Sequence, residues 1–259
     1  MTDQPATRLS VQGLTKRFGG LVATDNVSFD VPATGVTAVI GPNGAGKTTL
    51  FSLISGFLPP TEGRIIFDGA DVTGTPPERM AAKGLVRTFQ LVQLFPHLSV
   101  LENVKIGRHV RTRAGLVSAL FSPPFARREE AETELRAREL IARVGLATQT
   151  DRLAGVLPYG QQRLLEIARA LAAEPRLLMM DEPAAGLNHT ETERLGLMIR
   201  EIADGGTTVL LIEHDMRLVM KTADRIVVLN FGCKIAEGTP SEVERNRDVI
   251  EAYLGGAAA

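Results

Sequence analysis

Gly41-Pro42-Asn43-Gly44-Ala45-Gly46-Lys47-Thr48 carries glycines, a lysine and a threonine at the spacing G-x-x-x-x-G-K-[ST]. The apolar run Val36–Ile40 precedes it and Lys47–Ile54 reads as the helix it opens. That strand–loop–helix context is what the chemistry needs. Glycines let backbone N–H groups turn inward around phosphate oxygens, and the helix N-terminus adds its positive end. Lys47 is expected to reach the β- and γ-phosphates, and the Thr48 hydroxyl to ligate Mg²⁺. Asn43, Gly44, Ala45, Gly46 and Thr49 complete the cradle. No N-K-x-D base-reading motif appears, so the loop alone says only nucleotide. Phe18, upstream in Thr15–Gly20 at the end of a first strand, is of the type that stacks on adenine or fills a core. Spacing leaves those two readings level.

Leu177-Leu178-Met179-Met180-Asp181-Glu182 is an apolar run ending in two acids. A buried strand delivers such carboxylates to the carboxyl edge of an α/β sheet, where ligands bind. There Asp181 would hold Mg²⁺, and Glu182 would face the γ-phosphate and polarise the attacking water. Gln90 ends another strand and is expected to reach the metal or the water. His214 follows Val209–Ile212 and could donate to the γ-phosphate. Singly, a Gln or His at a strand end is more often structural; the shared sheet edge is what raises these two.

Leu157-Pro158-Tyr159-Gly160-Gln161-Gln162 precedes a helix read as Arg163–Ala173. A second helix N-terminus with a glycine is a second anion site. Two anion sites for one nucleotide point to a sandwich, in which Pro158, Tyr159, Gly160 and Gln161 complete the site of a partner subunit.

The elements that must position these residues follow from hydrophobic pattern. Gly35–Ile40, Leu85–Phe89, Leu177–Met180, Thr207–Ile212 and Arg225–Leu229 read as buried parallel strands alternating with helices. The first ~30 residues and Arg64–Phe67 alternate apolar and polar, as a half-exposed antiparallel sheet does. Ser99 with Glu102, Thr190 with Glu193 and Ser241 with Glu244 fit capping boxes, and Gly56, Gly84 and Gly145 sit where helices stop. From Leu91 to Leu157 no strand is expected, and Arg127–Val144 reads as one long charged helix. The expected division is 1–90 and 158–259 as an α/β core with its β subdomain and C-terminal helix, and 91–157 as an inserted helical subdomain. Arg111–Phe125, apolar with basic flanks, is expected to pack on that subdomain or to dock a membrane-embedded partner or the lipid surface.

Composition sets the outer bounds. Lys plus Arg total 29 against 30 Asp plus Glu, a balance with no global pull towards nucleic acid. A lone cysteine, Cys233, fits a reducing compartment and reads as a small strand residue. The polar start lacks a signal-peptide layout and no run suits a membrane span, so the chain is expected to be kept in the cytoplasm, with any membrane role coming through a partner.

Taken together, the chain resembles the ATP-binding subunit of ABC transporters from end to end. The phosphate loop, Gln90, Leu157–Gln161, Asp181-Glu182, Ala185-Gly186-Leu187-Asn188 and His214 occur in that family's order, as its Walker A, Q-loop, signature, Walker B, D-loop and H-loop. The resemblance implies a RecA-like α/β P-loop core with an antiparallel β subdomain and a helical insert, ATP and Mg²⁺ as ligands, and adenine stacking by Phe18. It also implies a second ATP-binding subunit, identical or not, transmembrane permease subunits met by the insert, and a periplasmic solute-binding protein acting indirectly. Two positions depart from the usual pattern: Pro158-Tyr159 replace Ser-Gly of the signature, and Asn188 replaces the D-loop Asp. The signature, the insert and the ending Val249–Gly255 resemble the branched-chain (hydrophobic) amino acid importer branch, with urea or amide importers as relatives. A soluble ABC ATPase is the other reading; one phosphate loop and a short insert weigh against it.

Overall fold

The computed structural model describes residues 7–109 and 124–255. The chain runs β1 (Thr7–Phe18), β2 (Leu21–Pro32), β3 (Val36–Ile40), α1 (Lys47–Ile54), β4 (Glu62–Phe67), β5 (Ala70–Asp71), α2 (Pro77–Lys83) and β6 (Leu85–Arg87). After these come α3 (Val100–Arg108), α4 (Pro124–Arg143), 3₁₀ turns at Ala147–Gln149 and Ala154–Val156, and α5 (Tyr159–Ala172). The remainder is β7 (Leu177–Asp181), α6 (His189–Asp204), β8 (Thr208–Ile212), α7 (Met216–Thr222), β9 (Arg225–Asn230), β10 (Cys233–Gly238), α8 (Pro240–Glu244) and α9 (Arg247–Gly255).

Six strands form the main sheet in the order β10-β9-β3-β8-β7-β6, parallel from β9 to β6 with β10 antiparallel at the edge. Every residue of β3, β7 and β8 is buried, because layers cover both faces. Val36, Ala38, Ile40, Leu178 and Met180 join one core, while Val39, Leu177 and Met179 face the other. A four-stranded antiparallel sheet, β2-β1-β4-β5, covers α1 from the far side. The register Asp181↔Ile212 brings the carboxyl ends of β7 and β8 level. The turns that follow β3, β7 and β8 therefore open on one edge.

Helix α5 starts at Tyr159 rather than Arg163, because Pro158 is fixed in an extended conformation (φ −54°, ψ 149°) as its N-cap. It packs against α3 and α4, so the boundary read at 158 separates helices that sit together. The Ser99–Glu102 capping box forms as expected. The other two stand two residues earlier, at Asn188–Glu191 and Thr239–Glu242. Asn188 and Thr239 are the last extended residues before their helices, and Pro240 fixes the start of α8. Cys233 opens β10 with an exposed thiol. Segment 111–125 lies outside the residues whose side chains the structure describes. Among the described residues no helix is long and apolar enough to cross a membrane.

Candidate functional site

The loop between β3 and α1 is shaped by glycines that no other residue could replace. Gly41 has φ 152° and Gly46 has φ 93°. A Cβ on Gly41 would lie 2.1 Å from the Leu229 carbonyl oxygen, and one on Gly46 would lie 2.3 Å from that of Ala23. Strand β9 and the β2 hairpin press directly on the loop, which excludes side chains there. Lys47 is buried, and its Nζ donates to the carbonyls of Gly41 (2.7 Å) and Pro42 (2.9 Å). Burial lowers the Lys47 pKa, and Glu182 and then Asp181 pull it back up. Among the described residues no side chain caps α1, and no acid stands in its first turn, so its leading N–H groups have no side-chain acceptor of their own.

These groups border a cleft of about 450 Å³ lined by Asn43, Gly44, Ala45, Gly46, Lys47, Thr48, Thr49 and Glu182. The remaining wall is Leu21–Ala23 at the start of β2 and Phe231-Gly232 in the β9–β10 turn. Sequence reasoning missed that wall, although the exposed Phe231 (87%) with φ 45° is an unusual residue for a turn. Phe18 does not line the cleft. It pairs across the hairpin with Leu21, which does, and lies 46% exposed beneath the Lys16 ammonium.

Glu182 is the first residue beyond β7 and holds φ 46°, a backbone region that is strained for a non-glycine residue. The strain is held by the Glu182 N–H bond to the Ile212 carbonyl (3.0 Å) on β8. Gln90 Nε2 donates to Glu182 Oε2 at 2.9 Å, and His214 Nδ1 lies 3.8 Å from the same oxygen. Thus Gln90 and His214, far apart in sequence, meet at the carboxylate of Glu182, which lines the cleft. Glu213 beside His214 is fully buried; its carboxylate accepts from the Ala184 and His214 N–H groups, and burial raises its pKa.

Asp181 is buried, and Arg87 on β6 donates to its Oδ2 at 2.7 Å. The Arg87 guanidinium also donates to Ser52 and Ser55 and lies within 5.8 Å of the ring centroids of Phe51, Phe57 and Phe89. A charged residue in an apolar strand was the available signal for Arg87. Arg87 takes Oδ2, and among the described residues Oδ1 accepts no hydrogen bond. Thr48, Gln90 and Asp181 form a hydroxyl, amide and carboxylate set of hard oxygen donors, which suits Mg²⁺ supplemented by phosphate oxygens and water.

Pro158, Tyr159, Gly160 and Gln161 stand apart from this cleft, at the start of α5. Pro158 and Tyr159 are exposed. The Tyr159 ring covers Gly186, where an added Cβ would come within 2.9 Å of it, and Gly160 faces the Glu191 carboxylate.

A family model described as ABC transporter matches residues 24–185, and one described as branched-chain amino acid ATP-binding cassette transporter matches residues 233–259. The chain is 48% identical over 250 residues to the high-affinity branched-chain amino acid transport ATP-binding protein BraF of Pseudomonas aeruginosa, covering 96% of this chain and 98% of that protein. An ATP-binding cassette of an ABC transporter in its ADP conformation superposes with a TM-score of 0.84 at 36% identity, over 96% of this chain and 99% of that one. A dimeric bacterial ABC transporter cassette does so with a TM-score of 0.75 at 25% identity, over 90% and 98%.

Proposed function

The chain belongs to the ABC transporter ATP-binding family, and on that premise we propose that it hydrolyses MgATP in pairs to drive import of branched-chain or other hydrophobic amino acids. The observation that carries the chemistry is the meeting of Glu182, Gln90 and His214 at the cleft that the phosphate loop lines. The solute class rests on the relatives' names and on the match over residues 233–259.

Lys47, the uncapped start of α1 and the loop N–H groups of Asn43 to Thr49 hold the β- and γ-phosphates. Phosphate charge replaces part of the hydration that burial takes from Lys47. Thr48, Asp181 and Gln90 would hold Mg²⁺, which would supply charge neutralisation on the phosphate oxygens. Arg87 fixes the Asp181 carboxylate by one oxygen and leaves the other for the cation. Glu182 accepts a hydrogen bond from the attacking water and is steadied by Gln90 on one side and His214 on the other. Phe18 stacks on adenine, directly across the hairpin from Leu21.

Pro158 to Gln161 lie outside the chain's own cleft, which supports their service to a partner's nucleotide. ATP then closes the pair by offering its γ-phosphate to the opposite α5, and hydrolysis removes that contact. Residues 1–90 with the strands after β6 form the ATPase body, and the helical insert, with α5 packed on it, meets transmembrane permease subunits. Through them the protein sits at the cytoplasmic face of the membrane, with a solute-binding protein supplying cargo on the other side.

Lys47→Ala is the deciding experiment. Removing this preorganised charge lowers the hydrolysis rate of the full chain by about 10²-fold or more. Hydrolysis at the parental rate would mean that the cleft is not where ATP reacts.

A further inference from the structure

Helix α5 is buried on nearly every side, yet it holds a charged pair: Arg163 is 0% exposed and Glu166 is 1% exposed. Arg163 Nη1 donates to Glu166 Oε2 at 2.7 Å and to the Phe89 carbonyl at 2.6 Å. Its Nη2 donates to the Gln90 carbonyl at 2.5 Å and to Tyr159 Oη at 3.2 Å. The other Glu166 oxygen accepts from the Gln93 N–H at 3.3 Å. Between them the two side chains grip the backbone of the segment after β6 at Phe89, Gln90 and Gln93. Gln90 in turn presents its side chain to Glu182. One guanidinium thus touches both the signature turn, through Tyr159, and the segment that carries Gln90.

We infer that Arg163 and Glu166 are a positioning pair, which locks the Gln90 segment to the first turn of α5 so that a subunit's own catalytic wall and the signature it offers its partner move as one body. The inference rests on the roles proposed above for Gln90 and the signature.

Stability alone does not account for the pair. Taking two charges out of water is costly, and volume-matched apolar residues at such a site are often neutral or stabilising. Burial does press on the carboxyl: it pushes the Glu166 pKa up, against the downward pull of Arg163. What an apolar pair cannot do is aim two carbonyls. Arginine's planar fork fixes the direction of both the Phe89 and Gln90 peptides, whereas a lysine is a single point charge on a flexible stem. With the Gln90 peptide aimed, its side chain arrives at Glu182 rather than at solvent.

The test compares Arg163→Met/Glu166→Leu and Arg163→Lys with the parent, as full chains, by thermal unfolding, ATP affinity, and kcat and KM of hydrolysis. The double variant is expected to melt at or above the parental temperature and to bind ATP as the parent does. Its kcat should fall by about 10- to 100-fold with KM unchanged, the penalty of a misplaced catalytic group. A merely structural pair would leave kcat intact once the fold is intact. Parental kcat in a stably folded double variant therefore overturns the inference. Should the double variant not fold, Arg163→Lys decides, since it keeps the charge on Glu166 and loses the fork. A lower kcat at unchanged KM and melting temperature supports the inference, and parental kcat overturns it. Failure of the underlying reading looks different: Lys47→Ala would then hydrolyse ATP normally.

Discussion

The phosphate loop and the signature turn are both starts of helices, α1 and α5, and the molecule builds them in opposite shapes. Neither has a side-chain cap, and neither has an acid in its first turn. The starts of α3, α6 and α8 each satisfy their own donors with a capping box and a glutamate. Starts that satisfy their own donors have none to offer, whereas those of α1 and α5, with neither a side-chain cap nor an acid in the first turn, leave donors open to an anion. They differ in curvature. The start of α1 is folded into a cleft of about 450 Å³ by a loop pressed against β9 and β2. The start of α5 stands proud, with Pro158 and Tyr159 exposed. A concave half can hold a ligand alone, and a convex half acts only when a partner brings the anion to it. The head-to-tail pairing proposed above would solve that for both subunits at once.

The largest expected effect comes from uncoupling the concave half from its chemistry. Glu182→Gln keeps the side chain's shape and its hydrogen bond to Gln90 while removing the charge. Hydrolysis should fall by about 10²-fold or more, ATP binding should persist, and the variant should run as a dimer on size exclusion with ATP. Parental turnover would remove Glu182 from the chemistry and leave the cleft a binding site only.

Next in size is a change on the convex side. Gly186 has φ 80°, and an added Cβ would come within 2.9 Å of the Tyr159 ring. Gly186→Ala therefore meets left-handed strain of about 1–2 kcal/mol and displaces the ring that braces the signature turn. A melting temperature lower by about 2–8 °C is expected, with weaker ATP-driven pairing. Unchanged melting and pairing would mean that Tyr159 is not a brace and that the start of α5 is held by α3 and α4 alone.

The two halves also differ in how far they can be read from sequence. The phosphate loop and the acids at the end of β7 were legible because their cues are local: a glycine spacing, an apolar run, a strand end. Arg87 on Asp181 and Arg163 on Gln90 were not, since 94 and 73 residues separate the partners. For Arg87 the only trace is a charge at the end of an apolar strand, which marks a buried partner without naming it, and Arg163 lies among the polar residues Gln161, Gln162, Glu166 and Arg169, which hide even that. The caps at Asn188 and Thr239 were displaced by two residues because Thr190 and Ser241 offered equally good spacing, and only backbone direction separates the pairs. Asn188 was read as a departed D-loop aspartate. In the structure it accepts from the Glu191 N–H as the cap of α6, a bond that does not need the charge.

The smallest effect is expected where the signature departs most from its family. Pro158 is the N-cap of α5, extended and without a side-chain acceptor. Pro158→Ser supplies that acceptor, and capping is worth about 1 kcal/mol. The same change returns backbone freedom to the unfolded chain, which costs about 0.4–1 kcal/mol. The terms oppose and are of one size, so the melting temperature should move by no more than about 2 °C. Turnover follows a similar argument. Attraction for a partner's phosphate comes from the backbone donors of the first turn and from the helix dipole, both present in either sequence. A serine hydroxyl can turn inward to cap those donors or outward to add one more, and the two choices pull in opposite directions. ATPase activity should therefore change by about threefold or less, well under 1 kcal/mol of barrier. A tenfold loss at unchanged melting temperature would break the comparison: the convex half would then depend on the shape that proline imposes, and the open helix start would not suffice.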